Sequence, residues 1–127
     1  MEYGFSKIVD LPFEDAVEKI TAELKKEGFG VLTEIDVKDT MKKKLNVDFK
    51  KYKILGACNP PIAHKALQFE EELGLLLPCN VIVYEKEGKS AVSVFNPMIM
   101  TQIIDNKEMS AIAEEVKTKL LAALNRV

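Results

Sequence analysis

Several things are scarce in this 127-residue chain, and each scarcity narrows what it can be. There are only two cysteines, Cys58 and Cys79, and they form no C-x-x-C pair, so neither a disulfide framework nor a zinc module is written into the sequence. There is one histidine, His64, and so no H-x-x-x-H ligand pair. There is one arginine, Arg126, which leaves bidentate readout of bases or phosphates without its usual residue. The net charge is only −2, so no overall field favours nucleic acid. The longest uncharged apolar run, Leu73 to Tyr84, is interrupted by Gly74, Pro78 and Asn80 and is too short to span a bilayer. The opening MEYGFSKIVD has no basic start, apolar stretch or cleavage signature of a signal peptide. The expected location is therefore cytoplasmic, where a structural disulfide is disfavoured. Phosphate-loop, dinucleotide-loop and nucleophile-elbow motifs are absent, as is a pair of convergent catalytic carboxylates.

What is present is an ordinary globular composition, 47% hydrophobic and 30% charged, of a length suited to one domain spanning residues 1–127. Residues 3–9 (YGFSKIV) read as a strand. Pro12 suits a first helical position, and Phe13, Ala16, Val17, Ile20 and Leu24 follow at helical spacing until Gly28. Residues 30–37 alternate as a second strand. Val37, Met41 and Leu45, four apart, predict a short helix, and YKILGAC (52–58) a third strand. Asn59 to Leu73 predict a helix with Ile62, Ala66, Phe69 and Leu73 on its apolar face, closed by Gly74.

The strongest local expectation is a hairpin over residues 79–96, turning at Glu87-Gly88. Its register sets Val81 against Val94, Val83 against Val92 and Cys79 against Asn96, and a one-residue slip would lose the valine matches. A last helix starts near Asp105, with Glu108 at capping-box spacing, and buries Met109, Ile112, Val116, Leu120 and Ala123. The order is β-α-β-α-β-α-β-β-α. The fold class is α+β, a mostly antiparallel sheet with helices mainly on one face.

The segments ILGACNPPIAHKAL (54–67) and LLPCNVIVYE (76–85) resemble the DUF 302 family, a group with no known function, and the likeness runs over nearly the whole chain. The resemblance implies an α+β domain of TATA-binding-protein-like topology, often seen as a dimer. It supplies no substrate, reaction, cofactor or catalytic residue.

The residues around the proline pair are the candidate site. Asn59 is the expected N-cap of the third helix, its side chain accepting from the N–H of Ile62. Pro60 and Pro61 then remove two of the donors that make a helix start an anion site. Cys58, Cys79 and His64 are the catalytic candidates of a thiol-dependent enzyme or redox protein. A buried, inert thiol at a strand end is the favoured alternative for Cys58. His64 falls about 160° from the centre of its helix's apolar stripe, so it faces solvent or a partner. Whether the thiols meet depends on topology. Parallel third and fourth strands would hold them roughly 20 Å apart, and antiparallel ones would bring them to the same end of the sheet. The intervening helix fits a parallel crossover well, but a helix can also return to an antiparallel neighbour, so both arrangements stay open from sequence.

A soft-metal or haem reading would add Met98 and Met100 to the thiols and imidazole, but without ligand spacing we expect no metal site. Residues 38–53 hold seven lysines and a formal charge of about +5. A solvated lysine face is the preferred reading there, and a nucleic-acid partner is not expected. The apolar stretch 95–104 (FNPMIMTQII) is read as a loop that lids the core, lines a pocket or meets another subunit. Leu121, about 100° off its helix's stripe, also suits a partner surface. The sequence thus points to a homodimeric binding or interaction module with a small apolar or anionic ligand. Its expected site is a cleft between the sheet's end and the 95–104 loop, near Asn59, Pro60, Cys79, Asn96, Pro97 and Met98.

Overall fold

The hairpin forms in the predicted register. β4 (Cys79–Lys86) and β5 (Lys89–Phe95) pair antiparallel with Val81 against Val94 and Val83 against Val92. Both turn residues take positive φ, Glu87 at 51° and Gly88 at 81°, as the tight primed turns of hairpins require. All four valines are buried, and each fully buried side chain of this size is worth about 1.5–3 kcal/mol.

The structure, a computed structural model, describes residues 1–127. The remaining strands are β1 (Gly4–Val9), β2 (Gly30–Asp36) and β3 (Tyr52–Cys58). The five strands run in the order β1-β5-β4-β3-β2, and every neighbouring pair is antiparallel. β2 lies on an edge and is bulged between Val31 and Thr33. The helices are α1 (Phe13–Lys26), α2 (Val37–Leu45), α3 (Pro60–Phe69), α4 (Met100–Ile103) and α5 (Lys107–Asn125).

α1 and α5 cover the valine face of the sheet. α1 buries Phe13, Ala16, Ile20 and Leu24, and α5 buries the five predicted stripe residues together with Ala113 and Leu124. They join the sheet in one core cluster of 22 buried residues. Two polar arrangements fasten the last turn of α5. Lys7, on β1, donates to the backbone oxygens of Asn125 (3.2 Å) and Val127 (2.6 Å), placing a cation at the negative end of the helix. Arg126 donates to the Glu23 carboxylate of α1 at 2.6 Å, and Lys26 meets the same carboxylate at 3.0 Å. Glu23 is therefore a buried but paired charge.

Four expectations need correction. Pro12 is the cap of α1 rather than its first residue: its ψ of 155° is extended, and its carbonyl accepts from Ala16 N–H at 2.9 Å. The predicted helix 59–73 breaks at Glu70, whose φ of −145° is extended, and continues as a 3-10 turn over Glu71–Leu76 that contains Gly74. The break separates Phe69 from Leu73, so Leu73 enters the core at 2% exposure while Phe69 stays 40% exposed. Asn106, not Asp105, caps α5. Its Oδ1 accepts from Glu108 N–H (3.0 Å) while its Nδ2 donates to the Phe69 carbonyl (3.3 Å), a second task that a carboxylate lacks the proton for.

The fourth correction is the segment 95–104, which is not a plain loop. It folds into a 3-10 turn, Pro97–Ile99, followed by α4. Asn96 fixes that turn, accepting from Met98 N–H at 3.0 Å and donating to Glu2 carbonyl at 2.8 Å. Pro97 and Met100 are buried there.

Candidate functional site

The β3–α3 junction forms as expected. Asn59 Oδ1 accepts from Ile62 N–H at 3.3 Å, and Pro60 and Pro61 open α3. The other side of the amide reaches back, Nδ2 donating to the Glu27 carbonyl at 3.4 Å. Gly28, at φ +85°, makes room for this: a Cβ there would stand 2.8 Å from Asn59 Nδ2. Asn59 thereby ties the start of α3 to the end of α1. Little is left at this helix start for an anion. The prolines have no N–H, Ile62 N–H goes to the Asn59 side chain, and Ala63 N–H goes to the Asn59 carbonyl.

Antiparallel pairing of β3 with β4 decides between the two arrangements left open for the thiols. Ala57 is the partner of Cys79, so Cys58 lies diagonal to Cys79 at the same end of the sheet. Beside them is an apolar cavity of about 330 Å³. Ala57 and Cys79 belong to its sheet side, Ile62 and Ala66 to its α3 side, and Met109 and Ile112 to its α5 side. Of its 18 lining residues 15 are hydrophobic, and none carries a charged side chain. Leu32 and Leu67, 66% and 37% exposed, stand where the lining meets solvent. A larger hollow of about 440 Å³ beside α2 is lined mainly by Asp and Lys side chains, with only Val47 and Phe49 apolar, and lacks the enclosing apolar walls of a ligand site.

Cys58 and Cys79 are both free thiols bordering the cavity. Cys58 is half-buried rather than fully buried. Burial, and secondarily the neighbouring Cys58, pushes the Cys79 thiol up to about 11. His64 is exposed and stands 3.0 Å from Gln68 on its own helix. It is not among the cavity residues, so the structure brings the two thiols to one hollow without the imidazole.

Of the remaining candidates, Asn59 lines the cavity, while Pro60, Asn96, Pro97 and Met98 do not. Asn96 and Pro97 are buried as the cap and first residue of their 3-10 turn. The 95–104 segment contributes Met100 instead. Sequence reasoning missed Phe29, Leu32 and the cavity role of Met109. The apolar stripe of α5 was legible, but not that its first turns border a hollow. No group of three His, Cys, Asp or Glu side chains converges on a metal-sized site. No helix is long and apolar enough to cross a membrane.

The lysine-rich segment is partly neutralised. Lys42 pairs with Asp48, Lys43 with Asp39, Lys51 with Glu14 and Lys53 with Glu34. Two of these four partners lie outside the segment, which is why a local charge count exaggerates the patch.

An antiparallel five-stranded sheet with helices across one face and an apolar hollow at the sheet's end defines an α+β domain. The family model described as "Domain of unknown function DUF302" matches residues 5–127, and the chain belongs to that family. It is similar to an uncharacterized conserved protein DUF302 from Bacillus stearothermophilus, known from a crystal structure. The TM-score is 0.92 at 28% sequence identity, covering 99% of this chain and 98% of that one. No curated protein matches the chain.

Proposed function

We propose that the chain is a homodimeric binding module whose ligand site is the cavity at the end of the sheet. The observation that carries this reading is the cavity itself. Its 330 Å³ and 15 hydrophobic lining residues fit the volume and walls typical of small-molecule sites, roughly 300–1,000 Å³. A small apolar molecule suits it. The test is fluorescence titration with Nile red, an uncharged apolar dye. Saturable binding at one site per chain, reduced by Ala63→Leu and by Ala66→Leu, is expected. Absence of saturable binding, or binding indifferent to both substitutions, overturns the reading.

Support for the dimer comes from a surface other than the 95–104 segment, part of which is spent inside the fold. Ile35 and Leu45, 48% and 65% exposed, stand on β2 and α2, and α2 buries no residue of its own. A short helix with no fully buried side chain gains little stability alone, so a second copy over this region would account for it. Light scattering at micromolar concentration tests the dimer, and a monomer there refutes it. Two free thiols suit a reducing compartment such as the cytoplasm.

The thiol-dependent alternative draws support from the shared cavity. It is weakened by His64 lying elsewhere and by a Cys79 thiol held neutral at ordinary pH.

A further inference from the structure

We infer that the cavity selects a neutral ligand, an apolar chain carrying one uncharged hydrogen-bond acceptor such as an ester or ketone carbonyl, which the side-chain amide of Asn59 receives. This rests on the cavity being a binding site and goes on to name what it takes.

The first argument is electrostatic. None of the 18 lining residues is Lys, Arg, His, Asp or Glu, so a charged head group would lose its hydration without gaining a counter-charge. The helix start beside the cavity offers no substitute. Its first two residues are prolines, and the next two N–H groups are engaged by Asn59. Carboxylates, phosphates and ammonium groups are therefore rejected from the cavity interior. The Cys79 thiol adds no charge of its own, being pushed up to about 11.

The second argument concerns hydrogen-bond polarity. Ile62 N–H needs an acceptor, which fixes the amide so that Oδ1 faces the helix and Nδ2 faces Glu27. A carboxamide nitrogen carries two protons. One goes to the Glu27 carbonyl, leaving one donor on a side chain that borders the cavity. Among the lining side chains, only Asn59 and the two thiols carry polar hydrogens, and thiols are weak donors. Asn59 thus supplies the one strong side-chain donor in an apolar wall, and a single acceptor on the ligand complements it.

The experiment is displacement of Nile red from the full chain at pH 7.5 by four probes of similar chain length: methyl decanoate, decanoate, decylammonium and undecane. Methyl decanoate is expected to bind roughly tenfold or more tightly than either ion. Asn59→Ser keeps an oxygen to cap α3 but removes the amide donor. It should weaken methyl decanoate about fivefold and leave undecane unchanged. Equal binding of ester and decanoate overturns the inference while the binding site itself stands. An equal loss for ester and undecane in Asn59→Ser shows Asn59 to be structural only, and removes the donor assignment. If Nile red binds saturably but no probe displaces it, the inference fails alone. If Nile red does not bind, the underlying reading fails with it.

Discussion

Gly56 sits in the middle of β3, where a strand would ordinarily favour a β-branched side chain, and replacing it with alanine tests the packing that shapes the cavity wall. Its Cα partners are Thr33 on β2 and Asn80 on β4. A Cβ at this position would overlap Thr33 Oγ1 and stand 2.7 Å from Pro78 Cγ. Ordinary contact begins near 3.4 Å, so Pro78 would have to retreat by about 0.7 Å. Thr33 is exposed and has another rotamer to take, although β-branching makes the change costly. The proline ring has no such freedom, and it precedes Cys79 in the lining of the cavity. Overpacking of this kind costs about 1–3 kcal/mol, which for a chain of this size lowers Tm by roughly 4–12 °C. Urea unfolding of Gly56→Ala measures the loss directly. Adding Thr33→Ala removes one of the two overlaps, so the double variant should recover part of the loss, with a coupling of about 0.5 kcal/mol or more. A Gly56→Ala variant within about 0.5 kcal/mol of the parent, or strict additivity with Thr33→Ala, would refute the close approach as the reason for glycine here.

Three further outcomes follow from the same packing. The Arg126 and Lys26 hydrogen bonds hold Glu23 down to about 2 from its ordinary 4.5. A depressed carboxylate stabilises the fold above its unfolded value and loses that contribution as pH falls, so the Tm advantage over Glu23→Gln should be full above pH 4.5 and disappear towards pH 2. Burial keeps the Cys79 thiol protonated, so Ellman's reagent at pH 8 should find one reactive thiol per folded chain, Cys58, and two after denaturation. Rapid reaction of both in the folded protein would contradict the burial of Cys79. Leu55→Ala, at a side chain with no exposure, should cost about 2–5 kcal/mol by equilibrium unfolding, and a loss below about 1 kcal/mol would mean that the sheet's helix-covered face is looser than described.

What could be read from sequence was what the sequence encodes locally. The hairpin register followed from four valines and a Glu-Gly turn, because a period of two leaves a single alignment that buries all four. The boundaries of β3 and α2, the Asn59 cap and the α5 stripe were legible for the same reason. The misread ends all involve a partner distant in the chain. Asn106 outcompetes Asp105 as a cap because it can also donate to Phe69, 37 residues earlier. α3 stops at Glu70 although its sequence pattern continues, since the core takes Leu73 from a 3-10 turn.

The thiols show the same division, and they show why the site was only half visible. Nothing within Cys58 to Cys79 states whether the strands they bound run parallel or antiparallel, since the intervening helix serves either. The strand order states it: β4 lies between β5 and β3 and pairs antiparallel with both. Once β3 and β4 are antiparallel neighbours, the end of one must meet the start of the other, and Cys58 and Cys79 share an end of the sheet whatever else they do. The hollow beside them depends on a further long-range condition. α3 buries only Ala66 fully, so it stands off the sheet's end and leaves the first turns of α5 as the opposite wall. An apolar stripe in sequence records that a face avoids water. It does not record whether the neighbour across that face is another side chain or a space in which a ligand takes its place.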